Sequence, residues 1–360
     1  MGSTEKTIVL GLEHFIDKIG YQSDEYKRRG IPIKYLVNDV SGISASKAKQ
    51  YSADIDIVSR NLLARTIKTV VIFITYRPRW CEIYDTGRLT LFYTLIARIF
   101  RTKIVIILRG QEFNRYGSRA FGLRLSLKLC HHIVSKESNL TKSLLCLSIN
   151  RDKITEISNC VPLPKMTAIN NDRDIDILFL NSVRQERHVD ILLNAIKQLT
   201  EQVPNIKVVI TGFSSLDDNQ HQVDTPYEEK ILTMIQDLNL NYNVETHGFV
   251  QEPSQFYKRA KIFVLPADVI FLNYSLLEAM SYAVAPIVCN GEGADEIINR
   301  ENGKIVGFSS LELAEGLQEF FADHQYVSYG KVARDNIKRY HSMHIWGEKM
   351  ISVRKSLIGK

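Results

Sequence analysis

Glu278 stands in the segment of this chain whose residue types and spacing speak most directly of chemistry. Ser275, three residues earlier, opens a helical run. Before it the apolar strand 262–265 enters an irregular loop, and after it a second apolar strand covers Ala285–Cys289. Gly291 and Gly293 then precede Glu296. This order reads as a βαβ unit with a turn-rich rim at its strand ends, where open α/β sheets hold ligands. A glutamate on such a rim suits a cis-diol, because its two oxygens accept both O–H groups. The run Ser275-Leu276-Leu277-Glu278 also has the spacing of a capping box, in which Glu278 accepts a hydrogen bond from the Ser275 backbone N–H.

The elements that must position this rim repeat along the chain. In the first half, strand patterns at 7–12, 33–37, 70–75, 103–108 and 133–134 alternate with helical patterns at 17–29, 88–100 and 122–130. Pro162, Pro164 and the polar run 170–174 interrupt the alternation. It restarts with a strand at Ile175–Leu180, then a helix at 190–200, a strand at 207–211, a helix at 228–238, a strand at Val244–His247 and a helix at Ser254–Arg259. Ile191, Leu192, Ala195, Ile196 and Leu199 fall on one helical face and read as core. A helical stretch over roughly 332–358 closes the chain, with Tyr340 and Trp346 available to pack. Repeated strand–helix–strand units imply an α/β protein with two Rossmann-like, doubly wound parallel sheets. Domains at 1–165 and 166–339 follow, and 360 residues exceed what one ordinary core covers.

No apolar run approaches the roughly 18 residues that span a bilayer. The N-terminus MGSTEKTIVLGL has no signal-peptide layout, so a cytoplasmic location is expected. The five cysteines, odd in number and set in apolar segments, read as reduced core thiols. His131 and His132 are adjacent without further ligands at metal spacing, and no metal site is expected. The net charge of +6 hides a division: residues 1–165 hold 27 Lys and Arg against 14 Asp and Glu, leaving 19 against 26 for the rest. Basic residues concentrate at 98–153, including Arg98, Arg101, Arg124, Lys128 and Lys142. Such helices attract anionic lipid headgroups or phosphorylated ligands, or else form a solvated basic face. No helix-turn-helix, finger or RNA-binding pattern accompanies the charge, so nucleic acid is not an expected partner.

The ordered fragments ITEISNCV, ILFLNSVRQERHVDILLNAI, VVITG, VETHGFV, FYKRAKIFVLP, LLEAMSYAVAPIV and ENGKIV resemble the retaining nucleotide-sugar glycosyltransferases of the GT-B fold, family 4. The resemblance covers nearly all of the second half and is weaker in the first, where IVIILRGQE and HHIVSKES carry it. It implies two Rossmann-like domains facing across a cleft, with the donor held mainly by the C-terminal one and the last helix, about 340–360, crossing back onto the first. It implies a nucleoside diphosphate-sugar as donor substrate, with no metal or other cofactor. The acceptor would be a hydroxyl of a glycan or lipid-linked molecule, in cell-surface polysaccharide synthesis, attacked on the face the diphosphate vacates. From its charge, the basic half is expected to dock the acceptor and the inner face of the membrane.

Carried over residue by residue, the resemblance gives Glu278 the ribose hydroxyls, as the second of the family's paired glutamates. The free amides at the helix start, nearest Tyr274 and Ser275, would face the diphosphate. Arg187 aligns with the family's basic residue, which stabilises charge growing on the leaving group. The companion arginine is Ser182 here, with Arg184 either substituting or facing solvent. Phe249 and Val250 would lie near the nucleobase, and Gly212 would allow close approach of the chain to the ligand, or serve an ordinary turn. Two positions depart from the pattern. Ile270 stands where the first glutamate would hold the donor sugar, leaving Asp268 or Asn273 to do so. Arg109 stands where many relatives have histidine, either holding an anionic group or pairing with Glu112. Gly11 is followed by Leu12, Glu13 and His14 in place of a second glycine. Arg109, Arg187 and Glu112 are thus the catalytic candidates, and the remainder would bind the donor. Two rival readings stay open: an inactive nucleotide-sugar-binding subunit of a glycosyltransferase complex, and a sugar-nucleotide epimerase.

Overall fold

The structure, a computed structural model, describes residues 5–11, 16–38, 54–59, 61–84, 87, 89–108, 120–165, 173–214, 224–271 and 273–358. Its strands form two sheets, each parallel throughout. The first contains β1 (Thr7–Leu10), β2 (Ile33–Asn38), β3 (Ile55–Val58), β4 (Trp80–Ile83), β5 (Lys103–Ile107), β6 (His132–Ser135) and β7 (Ile154–Glu156), in the order β3-β2-β1-β4-β5-β6-β7. The second contains β8 (Ile175–Leu180), β9 (Val208–Thr211), β10 (Val244–His247), β11 (Ala260–Leu265), β12 (Ala285–Cys289) and β13 (Lys304–Val306), in the order β10-β9-β8-β11-β12-β13. Helices connect the strands of the first sheet as α1 (Ile16–Arg28), α2 (Leu62–Tyr76), α3 (Leu89–Ile99), α4 (Ala120–Leu129) and α5 (Ser138–Cys146). Those of the second are α6 (Val189–Leu199), α7 (Thr225–Asp237), α8 (Ser254–Arg259), α9 (Tyr274–Ser281), α10 (Ser310–Phe321) and α11 (Tyr326–Asn336), and the chain closes with α12 (Met343–Ile358). The two compact units are residues 1–158 with 343–360, and residues 159–342.

In the first unit, alternation along the strands sorts side chains to two faces. Ile8, Leu10, Cys81, Ile83, Ile104, Ile106 and Ile133 share one core with Ile72 and Phe73 of α2, Ile96 of α3, Leu127 of α4 and Leu144 of α5. The opposite face carries α1 and α12, and here a charge is buried. Glu82 on β4 is fully enclosed, and Arg354 of α12 donates from Nη2 to Glu82 Oε1 at 2.6 Å. The Tyr26 hydroxyl donates to the same oxygen. The guanidinium lies 4.7 Å from the Tyr26 ring centre and 5.6 Å from that of Trp80, and Trp346 packs edge-on against Tyr26 at 5.1 Å.

Three expectations are corrected here. The stretch 70–75 is the interior of α2, not a strand. Asn61 starts that helix by accepting from the Leu63 and Ala64 amides, and Arg65, Thr69, Ile72 and Phe73 form its buried face at helical spacing. Packing on that face overrides the local β preference of the run VVIFIT. The closing stretch is not one helix: α11 ends at Asn336, a wider turn covers 337–341, and Ser342 is extended, bridged to Val161, before α12 begins. Of the five free cysteines, four are buried but Cys146, at the end of α5, is exposed. Strands β3, β4 and β7 had no counterpart in the reading of the sequence. They are three or four residues long, and WCEI hides its strand behind the buried glutamate. No helix among the described residues is long and apolar enough to cross a membrane.

Removing one partner from a buried ion pair strands the other in low dielectric. Arg354→Met should therefore cost about 3–5 kcal/mol in urea unfolding, and the double change Glu82→Leu with Arg354→Met should cost less than either single one.

Candidate functional site at the rim of the second sheet

From β8 the chain builds outward through β9 and β10 on one side, then returns to build β11, β12 and β13 on the other. The loops leaving β8 and β11 therefore diverge, and such a switch point is where open parallel sheets bind ligands. Ser182, Arg184 and Arg187 lie on the first of these loops. Asn273, Tyr274, Ser275 and Glu278 lie at the end of the second and on α9.

The two loops are tied directly. Asn181 donates from Nδ2 to Asn273 Oδ1 at 3.3 Å and to Ser275 Oγ at 3.2 Å, while its own Oδ1 accepts from the Ser182 amide at 3.0 Å. Arg187 donates from Nη1 to the Val269 carbonyl at 3.1 Å, and His188 Nε2 lies 2.6 Å from Asp268 Oδ1. The Asp268 amide donates to the Glu186 carbonyl at 3.1 Å.

Asn273 is the residue that starts α9. Its backbone is extended, and its Oδ1 accepts from the Ser275 amide at 3.0 Å, the Leu276 amide at 3.4 Å and the Ser275 hydroxyl at 2.7 Å. The capping-box reading of Ser275 and Glu278 is thereby corrected, because Ser275 is already inside the helix. The Ser275 amide, expected to be free, is taken by Asn273. Glu278 is half-buried on the next turn, and its Oε2 accepts from the Tyr257 hydroxyl at 3.1 Å. The Tyr274 hydroxyl donates to Asn159 Oδ1 at 2.9 Å.

Arg187 is a partly buried cation of the rim. Burial pulls its pKa below the usual arginine value, neighbouring Arg184 pulls it further, and Glu186 and Asp268 oppose them. An arginine stays protonated regardless. Its Nε is buried without a hydrogen-bond partner. Two guanidiniums on one loop with an unanswered buried N–H make a place for an anion.

Gly212 has φ +95°, and a Cβ there would lie 2.0 Å from the Asn181 carbonyl oxygen. Its immediate duty is thus to let the ends of β8 and β9 touch. Phe249 is half exposed, and Val250 packs partly against the core. Ile270 is wholly enclosed in the core, so it presents nothing to a ligand, and its neighbour Asp268 is engaged with His188. Gly11 belongs to the first unit, where it ends β1 with φ +84°. Arg109 and Glu112 lie outside the described residues. Asn181, His188 and Tyr257 were missed in the sequence. For Asn181 a signal existed, a short amide at the point where the apolar run ILFL stops; Tyr257 offered none, being one more aromatic on a core helix.

With both sheets and their switch points in view, comparison with solved structures decides the architecture. The chain has the GT-B fold. A glycosyltransferase from Rickettsia africae superimposes with a TM-score of 0.78 at 14% identity, covering 99% of each chain. The Anabaena protein HepE in complex with UDP gives 0.79 at 12% identity, over 98% of this chain and 100% of that one. Within the GT-B chain, residues 166–338 match the family of glycosyl transferases group 1. An uncharacterized glycosyltransferase of Methanocaldococcus jannaschii is 29% identical over 132 residues, which is 36% of this chain and 29% of that protein. The chain thus matches less than a third of that relative's length.

Asn273→Ala removes the cap of α9 and should lower stability by about 1 kcal/mol in thermal or urea unfolding, with Asn273→Asp retaining most of it.

Proposed function

We propose that this protein is a retaining glycosyltransferase of family 4 that moves a sugar from a nucleoside diphosphate-sugar to a hydroxyl of a glycan or lipid-linked acceptor, in cell-surface polysaccharide synthesis. The observation that carries the reading is Arg187: desolvated, crowded by Arg184 and holding a buried N–H without a partner, beside the start of a helix at a parallel-sheet switch point. A diphosphate answers each of these features. The positive end of α9 adds to the attraction, although Asn273 already takes the Ser275 and Leu276 amides. HepE, with the same fold, binds UDP and UDP-glucose.

In this reading Glu278 accepts from the ribose hydroxyls, aligned by its bond from Tyr257. Arg187 and Arg184 hold the diphosphate and stabilise the charge that grows on it as the sugar leaves, so the protein supplies this neutralisation with fixed cations. Ser182 adds a hydroxyl at the same loop, Gly212 keeps the loop close to β9, and Phe249 and Val250 border the nucleobase. Asp268 or Asn273 replaces the carboxylate missing at Ile270. Arg109, Glu112 and Gly11 belong to the acceptor side, where Arg109 holds an anionic group. The rival reading, an inactive nucleotide-sugar-binding subunit, draws on the burial of Ile270. It predicts donor binding with neither transfer nor slow donor hydrolysis in a product assay.

Calorimetry with UDP, alongside transfer assays over a panel of activated sugars and acceptors, tests the site. Arg187→Ala should weaken UDP at least about tenfold and slow transfer by roughly 100- to 1000-fold. Glu278→Ala should weaken nucleotide binding by about ten- to a hundredfold through the lost charged hydrogen bonds. Unchanged dissociation constants in both variants would place the donor elsewhere.

A further inference from the structure

The helices α2, α3, α4 and α5 all lie on one face of the first sheet, since their inward residues share a single core. Their outward side is unusual for a water-facing layer. Leu63 of α2 is 70% exposed, Ile99 of α3 76% and Phe121 of α4 72%; Leu62, Ile67, Val71 and Ile74 continue the stripe along α2, and Leu95 extends it on α3. On α2 the positions 63, 67, 71 and 74 recur at helical spacing, so they form one outward line beside the buried line of Arg65, Thr69, Ile72 and Phe73. A soluble helix ordinarily turns charge to this side.

The charge that is present has one sign. None of α2, α3, α4 or α5 contains a single Asp or Glu. Arg98, Arg101, Arg124, Lys128 and Lys142 are all exposed on or beside these helices. Nearby, burial and then Arg98, Lys103 and Lys153 push the His131 pKa down to about 4. A hollow of about 240 Å³ opens between α4 and the end of α5, lined by Phe121, Arg124, Lys128, Leu147 and Ile149. By contrast α1, on the other face of the sheet, carries Asp17, Asp24 and Glu25.

From this layer we infer that the outward face of α2, α3 and α4 docks on an anionic lipid bilayer, with the exposed aliphatic and aromatic side chains entering the headgroup region and the surrounding lysines and arginines pairing with lipid phosphates. Charge complementarity selects this occupant. A second copy of the same face would bring like charges together, since the helices themselves carry no carboxylate to answer them, and an inorganic phosphate would leave the apolar stripe in water. Interfacial helices combine these two features, apolar area for insertion and basic flanks for anionic lipid. The inference is independent of the donor site, because none of its residues belongs to the second unit.

Vesicle sedimentation of the full chain tests it, using phosphatidylcholine vesicles with and without phosphatidylglycerol. Sedimentation with the anionic vesicles, absence from the neutral ones and release by salt are expected. Leu63→Ser with Ile67→Ser, and separately Arg124→Glu with Lys128→Glu, should each weaken binding at least about tenfold. Lys27→Glu with Arg28→Glu, on the opposite face, should leave it unchanged. Circular dichroism and UDP calorimetry on every variant report folding and the donor site, so a membrane failure with UDP binding intact sinks this inference alone. The inference is overturned if the wild type ignores anionic vesicles, if the control variant loses as much as the others, or if the face variants alter only oligomeric mass in light scattering, which would make the face a contact between copies.

Discussion

One buried carboxylate organises the first unit. Glu82 sits in the middle of β4 with no exposure to water, and the charge that answers it, Arg354, is on the last helix of the chain. Burying such a pair adds little net stability, because desolvation offsets most of the attraction, yet leaving either member alone is strongly unfavourable. The pair therefore acts as a specification: α12 must lie across this face of the sheet, in a register that puts residue 354 over β4. Tyr26 and Trp80 then flank the guanidinium, with Trp346 packed against Tyr26, and α1 is fixed against α12 through Arg29, which bridges Glu25 and the His344 carbonyl.

The second unit concentrates its chemistry where the order of its strands reverses. There, polar groups have partners on the neighbouring loop: Asn181 with Asn273 and Ser275, His188 with Asp268, Tyr257 with Glu278. The arginines differ: Arg187 is satisfied at Nη1 and unsatisfied at Nε, and the Nε of Arg184 is likewise buried without a hydrogen-bond partner. A scaffold that holds these polar groups in place beside two guanidiniums with buried, unanswered N–H groups is organised before any ligand arrives, and such organisation lowers the reorganisation cost of stabilising charge.

Much of this architecture could be read from the chain. The inner strands of the second sheet were legible because they are buried on both faces and read as continuous apolar runs, Ala285–Cys289 being delimited to the residue; the more polar Val244–His247 and the helix Ser254–Arg259 were delimited as closely. The first sheet was harder. Its β4 contains a buried glutamate, its β3 and β7 are short, and α2 is built from β-branched residues whose local preference points to a strand. At the rim, residue types were informative but partners were not. Whether Ser275 or Asn273 starts α9 depends on backbone geometry at one peptide, and Asn181 acquires its role only through a loop some ninety residues further along. The face of α2 shows the same gap, since an apolar helix in sequence gives no hint of which side stays outside.

The distance in sequence between Glu82 and Arg354, 272 residues, has a bearing on how the chain is made. The second unit is encoded without interruption, and all of its residues are joined to the chain before those of α12. The first unit is not complete at that time: its sheet has emerged, but the carboxylate at its centre waits for a counter-charge that arrives on the order of tens of seconds later. Since an unpaired buried anion is strongly unfavourable, the face of the sheet around Glu82 is not expected to close before α12 arrives. Closure of the first unit thus waits on a helix encoded after the whole of the second.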